Sequence, residues 1–222
     1  MIEPYFQTEL GKLYCADSFE IMREMATYSL DLIVTDPPYG IDIASRGTLG
    51  SERLGKPKDY SKQSWDKKPL DRKYFYEMLR VTYNQIIFGG NYYTNFLDNS
   101  SCWVVWDKDN TGDYADCELA WTSFKTATRK IKWRWNGMLQ EDMSNKEERQ
   151  YPTQKPLPVI QWIINKYSKP DDIILDPFCG SGTTAVACEI TKHKWICIDK
   201  RIEACEIAKK RIIKETRQLT IT

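Results

Sequence analysis

An aspartate, two prolines and a tyrosine stand together at Asp36-Pro37-Pro38-Tyr39, within the segment Thr35 to Gly40 that directly follows the apolar run Leu30, Leu32, Ile33 and Val34. Asp36 offers a hydrogen-bond acceptor. Pro37 and Pro38 fix φ and carry no N–H, so nearby carbonyls stay free and rigidly aimed. Tyr39 offers a flat face for stacking. These residue types in this order suit the gripping of a planar substrate by its amino group. A proline-rich turn closing a strand is the plain alternative, and a tetrapeptide alone does not exclude it.

A second constellation lies far along the chain. Residues 174–184 read Ile-Leu-Asp-Pro-Phe-Cys-Gly-Ser-Gly-Thr-Thr, a strand running into a Gly-x-Gly turn and then a helix. Gly180 and Gly182 let the backbone bend tightly and approach a ligand, and a helix N-terminus favours negative charge. The turn is neither a full dinucleotide fingerprint nor a phosphate loop. About one βα unit later, Ile196-Cys197-Ile198 ends in Asp199, where an acidic group can bind ribose hydroxyls or cap the next helix. Together the two segments point to a nucleoside-containing cofactor.

The elements that must position these residues alternate. Strands are expected at 11–16, 30–34, 85–88, 102–106, 173–175 and 194–198, and helices at 18–26, 71–83, 92–97, 157–167, 182–191 and 202–217. A hairpin or two further strands fit 117–135. Strand–helix alternation with near-continuous apolar strands argues for an α/β, doubly wound, mainly parallel sheet in a single domain over 1–222. Residues 40–72 hold no sustained period and read as a mobile loop. Residues 44–73 carry nine basic against four acidic side chains, although the whole chain is only +1. A basic loop beside a substrate site suits a phosphate backbone, and a merely solvated loop fits as well. Residues 129–135, Arg-Lys-Ile-Lys-Trp-Arg-Trp, would place Ile131, Trp133 and Trp135 on one strand face. Lys130, Lys132 and Arg134 would take the other, to hold phosphates or only to meet water.

Seven cysteines without a Cys-x-x-Cys pair, and His193 as the only histidine, argue against a metal site and for reduced, buried thiols. No stretch approaches a membrane span of roughly 18 apolar residues. The N-terminal Met-Ile-Glu-Pro-Tyr-Phe-Gln lacks a signal-peptide pattern, so a soluble cytoplasmic protein is expected.

Taken together, the segments resemble the DNA amino-methyltransferases, which use S-adenosyl-L-methionine to methylate exocyclic nitrogens of DNA bases. Asp36-Pro37-Pro38-Tyr39 is similar to their catalytic motif, and Asp176-Pro177-Phe178-Cys179-Gly180-Ser181-Gly182 to their cofactor loop. Tyr151-Pro152-Thr153-Gln154-Lys155-Pro156 resembles the segment preceding that loop. Ile87 to Tyr92 and Trp103 to Lys108 resemble family strands. The catalytic motif comes first, as in the permuted, beta-type order. The resemblance spans about residues 11–216 and implies a seven-stranded Rossmann-like methyltransferase sheet.

It further implies that Asp36 and the Pro37 carbonyl hold the amine, beside Pro38, and that Tyr39 stacks on a base flipped out of DNA. Asp176, Phe178, Gly180 and Gly182 would surround the methionine end of the cofactor. Asp199 would bind its ribose, and Asp17 the adenine neighbourhood. Thr153 would act there or only cap its turn; Lys155 would meet the cofactor carboxylate or only solvent. Residues 123–150 are left as a short target-recognition insertion. Asp at the motif's first position favours adenine N6, with cytosine N4, RNA or a protein amide as alternatives, and an inactive nucleic-acid-binding subunit as the non-enzyme alternative. No metal is implied. A homodimer in the cytoplasm of a bacterial or phage-infected cell fits the family, and restriction-modification is the expected setting, with the presence of a restriction partner left open by the sequence.

Overall fold

A computed structural model describes residues 2–41, 48–49, 58–59, 68–110, 115–136, 139–151 and 153–219. The chain runs β1 (Phe6–Gln7), β2 (Gly11–Cys15), α1 (Ser18–Arg23), β3 (Leu30–Thr35), β4 (Thr48–Leu49), β5 (Lys58–Asp59), α2 (Arg72–Val81) and β6 (Thr82–Phe88). A 3-10 turn, Gly90–Tyr92, leads to β7 (Trp103–Asp107), β8 (Cys117–Thr122), β9 (Arg129–Lys132), β10 (Trp135–Asn136) and β11 (Leu139–Gln140). The rest is α3 (Leu157–Tyr167), β12 (Ile173–Asp176), α4 (Thr183–Thr191), β13 (Lys194–Asp199) and α5 (Ile202–Leu219). Most of the expected basic loop at 40–72 lies outside the described residues.

The main sheet has the order β1-β2-β13-β12-β3-β6-β8-β7-β9. Its seven inner strands form the expected sheet, and the two-residue β1 and the edge strand β9 extend it. Strands β2, β13, β12, β3 and β6 are mutually parallel. Strand β8 runs antiparallel to both neighbours, which returns β7 to the common direction. Successive residues of the central strands feed opposite layers: Val34, Ile86, Ile174 and Cys197 pack with α3, α4 and α5, whereas Ile33, Ile87, Leu175 and Ile198 pack with α1 and α2. Burial on both faces is why these strands are continuous apolar runs. On α3, Val159, Ile160, Ile163 and Ile164 make one buried stripe, each side chain stabilising the sheet contact by roughly 2 kcal/mol.

Several boundaries differ from expectation. Helix α2 stops at Val81 because Thr82 turns extended (φ −124°, ψ 150°) and its hydroxyl donates to the Met78 carbonyl at 2.8 Å; Thr82 and Tyr83 open β6. The helix expected over 92–97 is replaced by the 3-10 turn and further turns, with Tyr93 buried between Phe75 and Phe96. Helix α1 ends at Arg23. Cys117 is exposed and Cys15 half-buried, while the other five cysteines are buried as expected. Among the described residues, no helix is long and apolar enough to cross a membrane.

Candidate active site

Four parallel strands deliver a carboxylate to the same edge of the sheet. Strand β13 ends on Asp199 and β12 on Asp176, β3 is followed by Asp36, and β2 leads through Ala16 to Asp17. The register aligns them, with Asp199 opposite Cys15 and Asp176 opposite Cys197. This is the carboxyl-end crevice where open α/β sheets take ligands. A cavity of about 950 Å³, counting its open mouth, runs along it, from Asp36 and Pro38 past Asp176 to Gly180, Asp199 and Asp17.

At one end, the Asp36 carboxylate accepts hydrogen bonds from the Tyr39 hydroxyl and the Lys155 ammonium. Lys155 also lies 3.2 Å from Glu118, and Glu118 lies 2.5 Å from Lys108. A ladder of alternating charge thus runs Asp36, Lys155, Glu118, Lys108. Lys155, expected at a cofactor carboxylate or in solvent, is buried between two carboxylates and 5.2 Å over the Phe88 ring. Burial pushes the Asp36 carboxyl above its ordinary value, with Lys155 opposing. Burial works against the charge of Lys155 too, but Asp36 and Glu118 hold it above the usual lysine value.

The ring of Tyr39 stacks on Tyr92 with centroids 4.8 Å apart, and Tyr92 is half exposed. Beneath it sits Gly89 at φ +66°, where a Cβ would run into the Cε1 of Tyr39. The Tyr93 hydroxyl donates to the Pro38 carbonyl, one residue past the Pro37 carbonyl expected to hold an amine.

Next along the cavity, Asp176 is buried and accepts from Thr35 Oγ1 at 2.7 Å, Thr184 Oγ1 at 2.6 Å and the Phe178 N–H at 3.2 Å. It therefore ties β3, α4 and the glycine turn together. Burial pushes its carboxyl up to about 6. A folded value above the unfolded one means a contribution that is lost as pH rises through the folded value. Asp176→Asn should flatten a fall in stability that the native protein shows between about pH 4 and 6. Urea midpoints across that window check this, and an equal slope in both proteins would count against it.

Gly180 (φ +51°) presents an open side: an added Cβ meets nothing nearer than 3.9 Å. Gly182 (φ +76°) differs, since a Cβ there would lie 2.7 Å from the Cβ of Ala208 on α5. Its demand is helix packing rather than ligand access. Gly182→Ala should cost about 2 kcal/mol or more, combining left-handed strain and overpacking. Denaturant melts read this directly; a loss below about 0.5 kcal/mol would contradict the packing role.

Asp199 accepts from the Gly180 N–H at 3.0 Å and from Arg201, through its backbone N–H at 3.0 Å and its guanidinium at 2.9 and 2.7 Å. Arg201 also meets the Tyr151 hydroxyl and lies over that ring. Asp17 caps α1 through the Phe19 N–H at 2.9 Å and accepts from the Tyr74 hydroxyl at 3.0 Å; burial and this bond raise Tyr74 to about 12. Phe178 packs against Tyr74, and Thr153 lines the cavity wall.

Sequence reasoning missed Glu118, Lys108, Tyr92, Tyr93 and Arg201. Glu118 alone carried a usable signal, as a carboxylate inside the apolar strand Cys117-Glu118-Leu119-Ala120-Trp121. The basic face expected over 129–135 is not bare. Lys130 pairs with Asp107 at 3.2 Å, Lys132 with Asp109 at 2.9 Å, and Arg134 with Asp109. Ile131 and Trp133 pack on the core and Trp135 is buried within it. Among the described residues, no cluster of His, Cys, Asp and Glu could hold a metal ion.

Residues 106–210 match a family described as DNA methylase. The Type II methyltransferase M2.LlaDCHI of Lactococcus lactis subsp. cremoris is 28% identical across 96% of this chain and 93% of its own length. M2.DpnII of Streptococcus pneumoniae, another Type II methyltransferase, is 27% identical with the same coverage. Among solved structures, the M1.HpyAVI–SAM complex superposes with a TM-score of 0.55 over 90% of this chain and 99% of its own, at 24% identity. The PvuII DNA methyltransferase, described as cytosine-N4-specific, gives 0.64 over 98% and 95%, at 16% identity. At these identities the two structures speak for the fold.

Proposed function

We propose that the chain is an N6-adenine/N4-cytosine DNA methylase that uses S-adenosyl-L-methionine and methylates N6 of adenine in DNA; the match of residues 106–210 to the DNA methylase family and the likeness to Type II methyltransferases along nearly the whole chain support this reading. One observation carries the assignment of roles. Asp36 and the Gly180–Asp199 corner stand at opposite ends of one cavity, so an amine held at the first faces a nucleoside held at the second.

The residues present fit the cofactor. The open side of Gly180 is a cradle that any side chain would fill. Asp199 and Asp17 supply acceptors suited to hydroxyl and amino groups, and Phe178 supplies an apolar wall. Bound there, the cofactor supplies an electrophilic methyl group on sulfur.

The protein's own groups do the rest. An aromatic amine is a weak nucleophile because its lone pair is delocalised into the ring. Hydrogen bonds from the amine to Asp36 and to the Pro37 carbonyl favour a more tetrahedral nitrogen and fix its direction, a gain from positioning and aimed electrostatics. Asp36, whose carboxyl is raised by burial, is placed to receive the proton that the amine sheds. The base must leave the duplex to reach this depth, and Tyr39 gives its ring a stacking partner. Tyr92 covers a face of Tyr39 in this structure, so a base entering on that face takes the place of Tyr92.

Aspartate at the first motif position favours adenine over cytosine. Residues 123–150 are the segment available to read the target. A cytoplasmic location and pairing of two copies go with this reading. To test it, the protein is incubated with S-adenosyl-L-methionine and unmethylated DNA, and the digested nucleosides are separated. N6-methyladenine is the expected product. N4-methylcytosine would move the target, and transfer only to RNA or protein would overturn the proposal.

A further inference from the structure

Glu118 lies outside the motifs that carry the expected chemistry, yet it is the second carboxylate on the lysine that holds Asp36. We propose that Glu118 is a positioning residue that shares Lys155 with Asp36, so that the Asp36 carboxylate can turn to an incoming amine without stranding the lysine charge. Lys108 sets how much of Glu118 is free to do so. The inference rests on Asp36 being the amine acceptor.

Lys155 is nearly buried, with a side chain 10% exposed, and Asp36 is 20% exposed. Separating a lone, largely buried ion pair leaves an uncompensated charge, and that penalty would resist any substrate competing for Asp36. Glu118, 3.2 Å from the same ammonium, removes that obstacle. Lys155 can lean towards Glu118 as Asp36 takes up the amine, and the ammonium is never without a carboxylate. Lys108, 2.5 Å from Glu118 on its far side, competes for Glu118 and keeps it from drawing Lys155 away in the resting site.

Among the described residues, the groups facing Asp36 are few and each has a sign. Lys155, just before α3, lowers its pKa; Glu118 on β8 raises it; the Tyr39 hydroxyl lowers it through a hydrogen bond. Asp176, at the end of β12, is a further like charge. Tyr93 binds the adjacent Pro38 carbonyl, and Lys108 acts on Asp36 through Glu118. Neutralising Glu118 therefore leaves Lys155 to Asp36 alone, and Asp36 becomes a stronger acid held more firmly. Neutralising Lys108 does the reverse.

The experiment follows methyl transfer against pH in Glu118→Gln, Glu118→Asp and Lys108→Met. Glu118→Gln should lower kcat about tenfold, leave the cofactor Kd unchanged, and move the acid limb of kcat/KM down by about one pH unit. Lys108→Met should move that limb up, and Glu118→Asp, which keeps the charge, should restore the native limb. A limb that stays in place in both neutralising variants, or moves the same way in both, would overturn the proposal. The Asp36→Ala variant separates the two levels: if it still transfers methyl groups, the reading of Asp36 has failed, whatever Glu118 does.

Discussion

Asp36→Ala should reduce methyl transfer by about 10³-fold or more, which corresponds to about 4 kcal/mol of transition-state stabilisation, while cofactor affinity stays within about twofold. The substitution removes the acceptor that aims the amine and the group placed to take its proton. It should not touch the Gly180–Asp199 corner, whose contacts are made by the glycine turn after β12, the last residue of β13 and Arg201 just before α5. Lys155 keeps Glu118 as a counter-charge, so the lysine is not abandoned and the fold survives. Single-turnover transfer with labelled methyl, together with calorimetric titration of the cofactor, checks both halves. Activity within about tenfold of native would show that the amine is held elsewhere.

The next largest effect is expected at a residue that touches neither amine nor cofactor. Gly89→Ala drives a methyl group into the Tyr39 ring, on backbone at φ +66° where only glycine is unstrained. The left-handed strain is only about 1–2 kcal/mol per residue, so the protein should fold. The ring, however, must shift, and its hydroxyl then leaves Asp36 while the stack on Tyr92 slips. A misplacement of about 1 Å at a reacting centre costs on the order of 10²-fold in rate. We expect a loss of about that size in kcat, with circular dichroism unchanged and cofactor affinity retained. Native activity in a folded Gly89→Ala protein would mean that Tyr39 does not position the target.

The parallel core was legible because burial on both faces forces apolar runs such as Leu32-Ile33-Val34 and Ile173-Ile174-Leu175, which few other environments demand. Strand ends carrying Asp36, Asp176 and Asp199 were legible for the same reason, as polar punctuation after such runs. What failed to show was decided by distant partners. Tyr92, Tyr93 and Phe96 have helical spacing, yet Tyr93 is drawn into the slot beside Phe75 and onto the Pro38 carbonyl, and no helix forms. The basic alternation of 129–134 gave no hint that Asp107 and Asp109 would neutralise it from the neighbouring strand and its end. Lys155 sits in a recognisable segment, but its two carboxylates come from β8 and the end of β3, a pairing that only the folded sheet creates.

The seam down the middle of the sheet also sets an order of events at the ribosome. Leu32 on β3 pairs with Ile174 on β12, and Leu13 on β2 with Cys197 on β13. The nascent chain therefore exposes β3 with one edge unpaired until β12 emerges, and β2 waits longer still for β13. Asp36 is synthesised early but gains Lys155 only 119 residues later, and the walls at Asp176 and Asp199 later still. Until then the half-sheet carries an unpaired β3 edge, an open template for pairing with another nascent copy.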